Sequence, residues 1–214
     1  ASLQQVKKNY LQVHRRLAAG LSTLSDEDYD LVLIDCPPSF NVVTKTAIVA
    51  SDRILIPARP DYLSTLGIDY LIGSVKLLVR HFNDCALSDP GSKSKAIDPR
   101  FLGVVFAMVQ EYGGGPIAAA RQFMAQTEQL GIPVLKAYLK ENKTLFADAP
   151  RYGVPVVLTS PHTPAHRQVI DEMKALVTEV ESKLGLETEV RYGHRGESID
   201  LSDLSPIGGV TQTA

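Results

Sequence analysis

Cysteine and long apolar runs are the features that this sequence has least of. Its 214 residues include two cysteines, Cys36 and Cys85, and no tryptophan. Two cysteines exclude a disulfide framework and a paired-cysteine metal site, and they fit a reducing compartment. Because free cysteines are usually buried, we expect both thiols to be buried. No apolar stretch reaches the roughly 18 residues that span a bilayer, and no charged-then-apolar signal opens the chain. We therefore expect a cytoplasmic protein.

A surplus of either charge is also lacking. The chain has 22 Lys and Arg against 24 Asp and Glu, and its formal net charge is -2. This balance excludes the strong overall field of a dedicated nucleic-acid-binding protein, so any contact with DNA has to come from a local patch. The hydrophobic share of 44% is that of a globular protein and excludes disorder of the whole chain.

The order of periodic segments predicts an α/β fold. An amphipathic pattern from Leu3 to Leu17 predicts an opening helix, and the unbroken apolar run Leu31 to Ile34 predicts a strand covered on both faces. Further strands are predicted at RILIP, FLGVVFAMV, PVLKAYL and VPVVL, and further helices at residues 41–50, 63–82, 117–130 and 166–184. Strands that alternate with helices favour a mainly parallel sheet with helices on both faces. We expect one domain over residues 1–186 and a flexible tail over residues 187–214.

Asp35 ends the first predicted strand, at the edge where α/β sheets hold their ligands. A carboxylate there can hold a water of hydrated Mg²⁺, although aspartates that only cap a turn are common at such places. Pro37 and Pro38 disfavour a helix, so the chain runs extended until Ser39 or Asn41 caps the next one. A stiff segment beside a metal-bound phosphate could sense the terminal phosphate, or it could be a rigid connector.

Two stretches carry a family resemblance. The sequence YDLVLIDCPPSFNVVTKTAIVASDRILIPARPDYLSTLGIDYLI resembles, nearly position for position, the Walker B and following segment of the ParA/Soj/MinD group of deviant Walker ATPases. The later DAPRYGVPVV resembles the stretch of that family beside the base pocket. The two matches lie in the family's order and together cover most of residues 29–184. The resemblance implies a P-loop NTPase fold and an ATPase that uses ATP and Mg²⁺ and forms a homodimer when ATP is bound.

The resemblance also implies roles for matching positions. Asp35 corresponds to the Walker B carboxylate, which is catalytic and acts on Mg²⁺ through water. Cys36 and Pro37 open the switch segment that senses the γ-phosphate and ends at Ser39. The adenine is expected to lie along Val154, Pro155 and Val156, together with the end of the strand at Met108.

A phosphate-binding loop is absent from this sequence. Such a loop needs glycines, a lysine for the β and γ phosphates and a Ser or Thr for Mg²⁺, and neither GSKSK nor EYGGGP has that order. In the family the loop precedes the Walker B strand, so the chain resembles the later two thirds of such an ATPase and we expect Ala1 to be a truncation point. Residues 1–214 alone are then expected to bind ATP weakly or not at all, and to expose an apolar edge beside the Asp35 strand.

The first functional hypothesis is a ParA-type ATPase that positions DNA or other cargo on the nucleoid. It would bind DNA nonspecifically through phosphate contacts and be released when a ParB-like partner stimulates hydrolysis. The basic residues considered for those contacts are Lys140, Lys143, Arg151 and Arg167, each of which could also be ordinary solvated charge.

Three alternatives remain open at this point. A MinD-like membrane-cycling regulator would end in a basic amphipathic helix, which the ending SIDLSDLSPIGGVTQTA does not form, so no membrane contact is expected. The iron–sulfur carriers of the superfamily need paired cysteines. A non-catalytic scaffold with the same fold but no phosphate-binding loop is compatible with the sequence.

Overall fold

The structure is a computed structural model that describes residues 2–25, 29–88 and 95–186. The chain divides into two compact units, residues 1–56 with 65–102 and residues 57–64 with 103–214. The expected tail, residues 187–214, lies outside the described residues. The helices are α1 (Leu3–His14), α2 (Arg16–Leu21), α3 (Val42–Val49), α4 (Tyr62–Leu87), α5 (Ala118–Glu128), α6 (Lys143–Tyr152), a short 3-10 helix (Val156–Leu158) and α7 (Pro164–Leu184). The strands are β1 (Arg53–Ala58), β2 (Arg100–Phe106), β3 (Glu111–Tyr112) and β4 (Gly115–Pro116).

Strands β1 and β2 are neighbours in one sheet. The Arg100 N–H donates to the Asp52 carbonyl at 3.0 Å and, at the other end, the Ala107 N–H donates to the Ala58 carbonyl at 2.9 Å, so the strands run in the same direction. The pairs Val104 with Val134 and Val109 with Lys140 add parallel bridges on the far side of β2. The prediction of an α/β fold with a parallel sheet is confirmed.

Helices α1, α3 and α4 enclose the core of the first unit. One cluster joins Leu11 of α1, Val49 of α3 and Phe82, Cys85 and Ala86 of α4, and Phe82 is only 1% exposed. A second cluster joins α3 to α4 and is formed by Ile48, Val75 and Leu78. The helices were predicted, but several of the apolar positions that predicted them are exposed: Leu3 and Val6 of α1 are 73% and 54% exposed, and α4 buries the face with Ile68, Val75 and Phe82.

Gly103 lets the segment around Pro133 pack tightly beside β2. A Cβ at this position would lie 2.6 Å from Leu135 Cδ1 and 3.0 Å from the Pro133 carbonyl oxygen. The Val104 N–H donates to the same Pro133 oxygen at 2.9 Å, and the Leu135 N–H donates to the Val104 oxygen at 2.8 Å. Only a residue without a side chain permits this approach.

Two carboxylates of α7 bind the backbone of residues 136–140, directly after Leu135. Glu179 accepts the backbone N–H groups of Lys136 and Ala137 at 3.0 and 2.8 Å, and Glu172 accepts that of Lys140 at 3.1 Å. Because these donors bond to side chains, the predicted strand PVLKAYL pairs with β2 only at isolated bridges. The sequence pattern missed this competition between carboxylates and a neighbouring strand for the same N–H groups.

Other segments also differ from their predicted structure. Residues 31–34 form no strand, and Leu31, Val32 and Leu33 are 44%, 46% and 83% exposed. No strand of the described residues pairs with this run, and a strand needs a partner for its backbone groups. The exposure agrees with the expected apolar edge. The sequence VPVVL contains the 3-10 helix, EYGGGP forms the β3–β4 hairpin, and α6 was not predicted.

Helix α4 is longer than predicted, and its apolar content is high. By length and composition alone it could cross a membrane, with a mean hydropathy of 1.3 over its best 18-residue window. No segment long and apolar enough to span a bilayer was predicted from the sequence. The helix buries Ile68, Ile72, Val75 and Phe82 among others, and core helices of soluble proteins pass the same test.

Candidate functional site

Asp35 lies in the first unit on an extended segment without secondary structure. Its residue is exposed, and its carboxylate has no hydrogen bond or ion pair with the described part of the chain. It is therefore not a turn-capping aspartate in this structure, which was the alternative interpretation of its position. An exposed carboxylate with both oxygens available is a suitable acceptor for the waters of a hydrated cation.

The residues after Asp35 are tied to the start of α3. The Ser39 N–H donates to the Pro37 carbonyl at 2.7 Å, which closes a tight turn around Pro38. The Thr44 hydroxyl donates to the Ser39 carbonyl at 2.6 Å, and the Asn41 amide donates to the Ser39 hydroxyl at 2.9 Å. A displacement of Ser39 would therefore be transmitted directly to helix α3.

Asn41 also caps α3, as the sequence predicted. Its side-chain oxygen accepts the N–H groups of Val43 and Thr44 at 2.9 and 3.2 Å, so two of the donors that every helix leaves unpaired at its start are satisfied. The capped helix thus gives the segment from Asp35 to Ser39 a fixed end.

Cys36 is exposed, so the expectation that both thiols are buried was wrong for this residue and correct for Cys85. The Cys36 side chain precedes a proline-constrained turn and has no hydrophobic layer to enter. Its Sγ donates a weak hydrogen bond to the Ile34 carbonyl at 3.7 Å. Partial desolvation of the sulfur, and secondly the charge of Asp35, raise the pKa of the Cys36 thiol.

The residues around Asp35 suit a Mg²⁺ ion that is bound through its waters rather than enclosed by side chains. Within the described residues no group of three or more His, Cys, Asp or Glu side chains could enclose a metal ion. A single exposed carboxylate instead suits Mg²⁺, which keeps several waters and is bound through one or two carboxylates plus substrate phosphates. The donor chemistry of Asp35 is compatible with that mode of binding.

Met108 lies in the second unit, just beyond the carboxyl end of β2. It is the one described residue other than glycine with a positive φ, 56°, and it is 50% exposed. Unusual backbone conformations of this kind cluster at functional sites because they cost free energy. Arg59 and Asp61 follow the neighbouring end of β1 in the same unit and form an ion pair at 3.7 Å.

The predicted base-pocket residues also lie in the second unit, from the end of α6 to the start of the 3-10 helix. Val156 is 5% exposed and belongs to the core, so its side chain is not available to a ligand. Val154 is half-buried and Pro155 is exposed. Asp35, Cys36 and Pro37 belong to the first unit, whereas Met108 and Val154 to Val156 belong to the second.

The four basic candidates have different surroundings. Lys140 Nζ lies 2.8 Å from Glu111 Oε2 and 3.2 Å from Glu172 Oε1, so its charge is already neutralised. The Lys143 side chain is 85% exposed, and Arg167 is exposed on α7. Arg151 belongs to α6, but its side chain lies outside the described part of the structure.

The charged network around Lys140 was missed by the sequence analysis. The Tyr138 hydroxyl donates to Glu111 Oε1 at 2.6 Å, and Glu111 accepts from Lys140 through its other oxygen. The Lys140 ammonium, and then the Tyr138 hydroxyl, lower the pKa of Glu111. The spacing of Glu172 and Glu179, two turns apart on one face of α7, was the sequence signal that could have indicated carboxylates with a shared partner.

Comparisons with known proteins agree with this fold. A family model described as an AAA domain matches residues 1–86. The sporulation initiation inhibitor protein Soj of Bacillus subtilis is 26% identical over 74% of this chain and 56% of its own length. The chromosome-partitioning ATPase Soj of Thermus thermophilus is 27% identical over 73% of this chain and 57% of its own length.

A solved structure shares the fold. The complex of a Cyanothece McdA variant with ATP superimposes with a TM-score of 0.62 at 18% identity, and the match covers 86% of this chain and 62% of that one. The chain spans about half the length of the curated relatives it matches. The family model, the relatives and the solved structure agree, and this chain is similar in sequence and fold to the ParA/Soj-like proteins.

Proposed function

We propose that this chain is part of a ParA-type, Mg-ATP-dependent ATPase for DNA segregation or cargo positioning on the nucleoid. The observation that carries the proposal is the exposed carboxylate of Asp35, which has no partner among the described residues and lies next to a turn that is bonded to α3. The name of one relative, the chromosome-partitioning ATPase Soj of Thermus thermophilus, supports the same activity. We assign the ATPase domain to residues 1–186.

The proposed residues of each unit have specific tasks. Asp35 would be the carboxylate that holds Mg²⁺, through hydrogen bonds to water. Bound Mg²⁺ would supply positive charge against the phosphate oxygens. Cys36 and Pro37 begin the segment that senses the terminal phosphate, and a shift there reaches α3 through Ser39. Met108, Val154 and Pro155 contribute to the base site, with Val156 supporting it from the core.

ATP hydrolysis by the protein as it is encoded tests the role of Asp35. We expect Asp35→Asn to lower Mg-dependent hydrolysis by about 10–100-fold, because the amide no longer orients the ion's waters in the same way. Asp30→Asn is the matched control, since Asp30 is exposed on the same extended segment. Equal rates for wild type and Asp35→Asn would contradict the proposal and favour the alternative, a non-catalytic scaffold.

DNA binding is the second part of the proposal. Lys143, Arg151 and Arg167 are the proposed phosphate contacts, whereas Lys140 is the weakest candidate because two carboxylates already pair with it. An Arg151→Glu/Arg167→Glu variant should lose binding to nonspecific duplex DNA at low salt, and its salt slope should fall by about one unit per lost contact. Lys174→Glu, an exposed change on the same helix as Arg167, serves as the control. Unchanged binding by the double variant would exclude these two positions.

The assembly and location follow from the same proposal. ATP should drive formation of a homodimer, and a ParB-like or other partner should stimulate hydrolysis and release the protein from DNA. We propose a cytoplasmic, nucleoid-associated protein without membrane contact. Flotation with liposomes tests the alternative of a MinD-like regulator, because a membrane-cycling protein would float with ATP.

A further inference from the structure

Helix α4 has a second apolar face that is opposite to its buried one. Ile68, Val75 and Phe82 define the buried face. Leu66, Tyr70 and Leu77 lie on the other side of the helix and are 55%, 71% and 65% exposed. With Gly73 they follow the spacing 66, 70, 73, 77, which is the alternating step of four and three residues that forms a coiled-coil seam. We call these four residues the α4 seam.

No contact within the described part of the chain explains why residue 73 is a glycine. Apart from its chain neighbours and the nearby backbone of α4, a Cβ at Gly73 would have no described atom within 4 Å, and the same holds for Gly67, six residues earlier. Glycine weakens a helix interior relative to alanine, and neither position has a positive φ that would require it. A glycine on an exposed apolar face instead permits another backbone or a large side chain to approach closely.

The α4 seam is complementary to itself in an antiparallel arrangement. If two copies of α4 cross with their midpoint between Leu71 and Ile72, Leu66 lies opposite Leu77 of the second copy. In the same register Tyr70 lies opposite Gly73 of the second copy, so the largest side chain of the seam faces the smallest. Both matches occur twice because the arrangement has two-fold symmetry.

The charges beside the seam fit the same register. Asp69 and Lys76 flank the seam on one side and are exposed, and neither has an ion-pair partner in the described part of the chain. In antiparallel coiled coils the flanking positions on one side meet their equivalents, so Asp69 faces Lys76 of the second copy. In a parallel arrangement each of these flanking positions meets the opposite flank of the second helix, so Asp69 would lie near Ser74 and Lys76 near His81, and neither charge would gain an opposite partner.

We propose that the α4 seam is the contact surface for a second copy of this chain, joined as an antiparallel helix pair. The contact needs neither nucleotide nor DNA, so it is distinct from the ATP-driven dimer of the proposed function. Either proposal can be refuted without affecting the other. The α4 seam of one copy packs against the α4 seam of the other, and each Tyr70 side chain lies over Gly73 of the second copy. Two Asp69–Lys76 ion pairs favour the antiparallel direction of the helices.

Sedimentation equilibrium of the protein as it is encoded, without nucleotide, tests the proposal. We expect a monomer–dimer equilibrium for the wild type and a dimer at least about tenfold weaker for Tyr70→Glu, because a charge enters the seam. Leu87→Lys is the control, since Leu87 is 78% exposed at the end of the same helix, beyond the stretch of α4 that overlaps the second copy in this register. A monomeric wild type, or a dimer that Tyr70→Glu leaves unchanged, would overturn the proposal. The second result would indicate association through another surface, such as residues 29–33.

Two further variants separate the interface from folding. Asp69→Lys and Lys76→Asp should each weaken the dimer, and the double variant Asp69→Lys/Lys76→Asp should restore it, because the pairs are re-formed with reversed sign. Gly73→Ala should raise the melting temperature of the monomer and yet weaken the dimer, because the added methyl group fills the space for Tyr70. A double variant as weak as the single ones would exclude the antiparallel register.

Discussion

Lys140 lies between two acidic side chains, and its removal should destabilise the second unit. The ammonium is 2.8 Å from Glu111 Oε2 and 3.2 Å from Glu172 Oε1, and the three side chains are 25%, 19% and 15% exposed. Glu172 Oε1 is buried and lacks hydrogen-bond geometry toward any partner in the described residues, so the attraction of the Lys140 charge is its compensation. Lys140→Met would leave Glu111 and Glu172 without that charge.

The magnitude follows from the partial burial of this group. Breaking a fully buried ion pair costs about 3–5 kcal/mol, and an exposed pair contributes about 0.2–1 kcal/mol. Side chains that are 15–25% exposed fall between these limits, and we expect a loss of about 2 kcal/mol in the free energy of unfolding. For a chain of this size that corresponds to a melting temperature about 4–8 °C lower.

Urea unfolding monitored by circular dichroism measures the difference. Lys143→Met is the matched control, since its side chain is 85% exposed and lies 3.5 Å from Glu141, and its effect should stay within about 0.5 kcal/mol. The double variant Lys140→Met/Glu111→Gln should recover part of the loss because one unpaired charge is removed. Equal midpoints for Lys140→Met and Lys143→Met would refute the reasoning.

Three further predictions follow from named contacts. Asn41→Ala should lower the free energy of unfolding by about 1 kcal/mol, because two N–H groups at the start of α3 lose their acceptor. Asn41→Asp should be nearly neutral, and thermal unfolding of the two variants measures the difference. Gly103→Ala should destabilise by more than about 2 kcal/mol because its Cβ would meet the Pro133 carbonyl at 3.0 Å, and a variant as stable as wild type in urea would show that β2 can move away. The Lys140 ammonium and then the Tyr138 hydroxyl lower the pKa of Glu111, so the folded state binds fewer protons there than the unfolded state. The stabilisation is complete above the unfolded pKa of about 4.3 and is lost as the pH falls through the folded pKa, so the stability difference between wild type and Glu111→Gln should shrink on acidification.

The local structure around Asp35 could be predicted from the sequence. Pro37 and Pro38 restrict their own backbone and that of their predecessors, and Asn41 offers an acceptor to the N–H groups two and three residues later. These effects act within a few residues, so they need no knowledge of the rest of the chain. The positions of the helices were also predictable from apolar residues spaced three and four apart, but this spacing did not identify the buried face of α1, since Leu3 and Val6 are exposed.

The tertiary structure decided which backbone groups pair and which side chains are covered. Residues 31–34 were predicted as a strand from their apolar run, but a strand depends on a neighbour, and none of the described strands pairs with them. Lys140 was a candidate for DNA contact until α7 and the β3–β4 hairpin placed Glu172 and Glu111 beside it. Sequence by itself thus determined the fold class and the capped start of α3, because these depend on periodicity and backbone preference, whereas the turn at Pro38 was not predicted. Only the folded chain determined the partners of exposed and charged groups, because residues far apart in the sequence supply them.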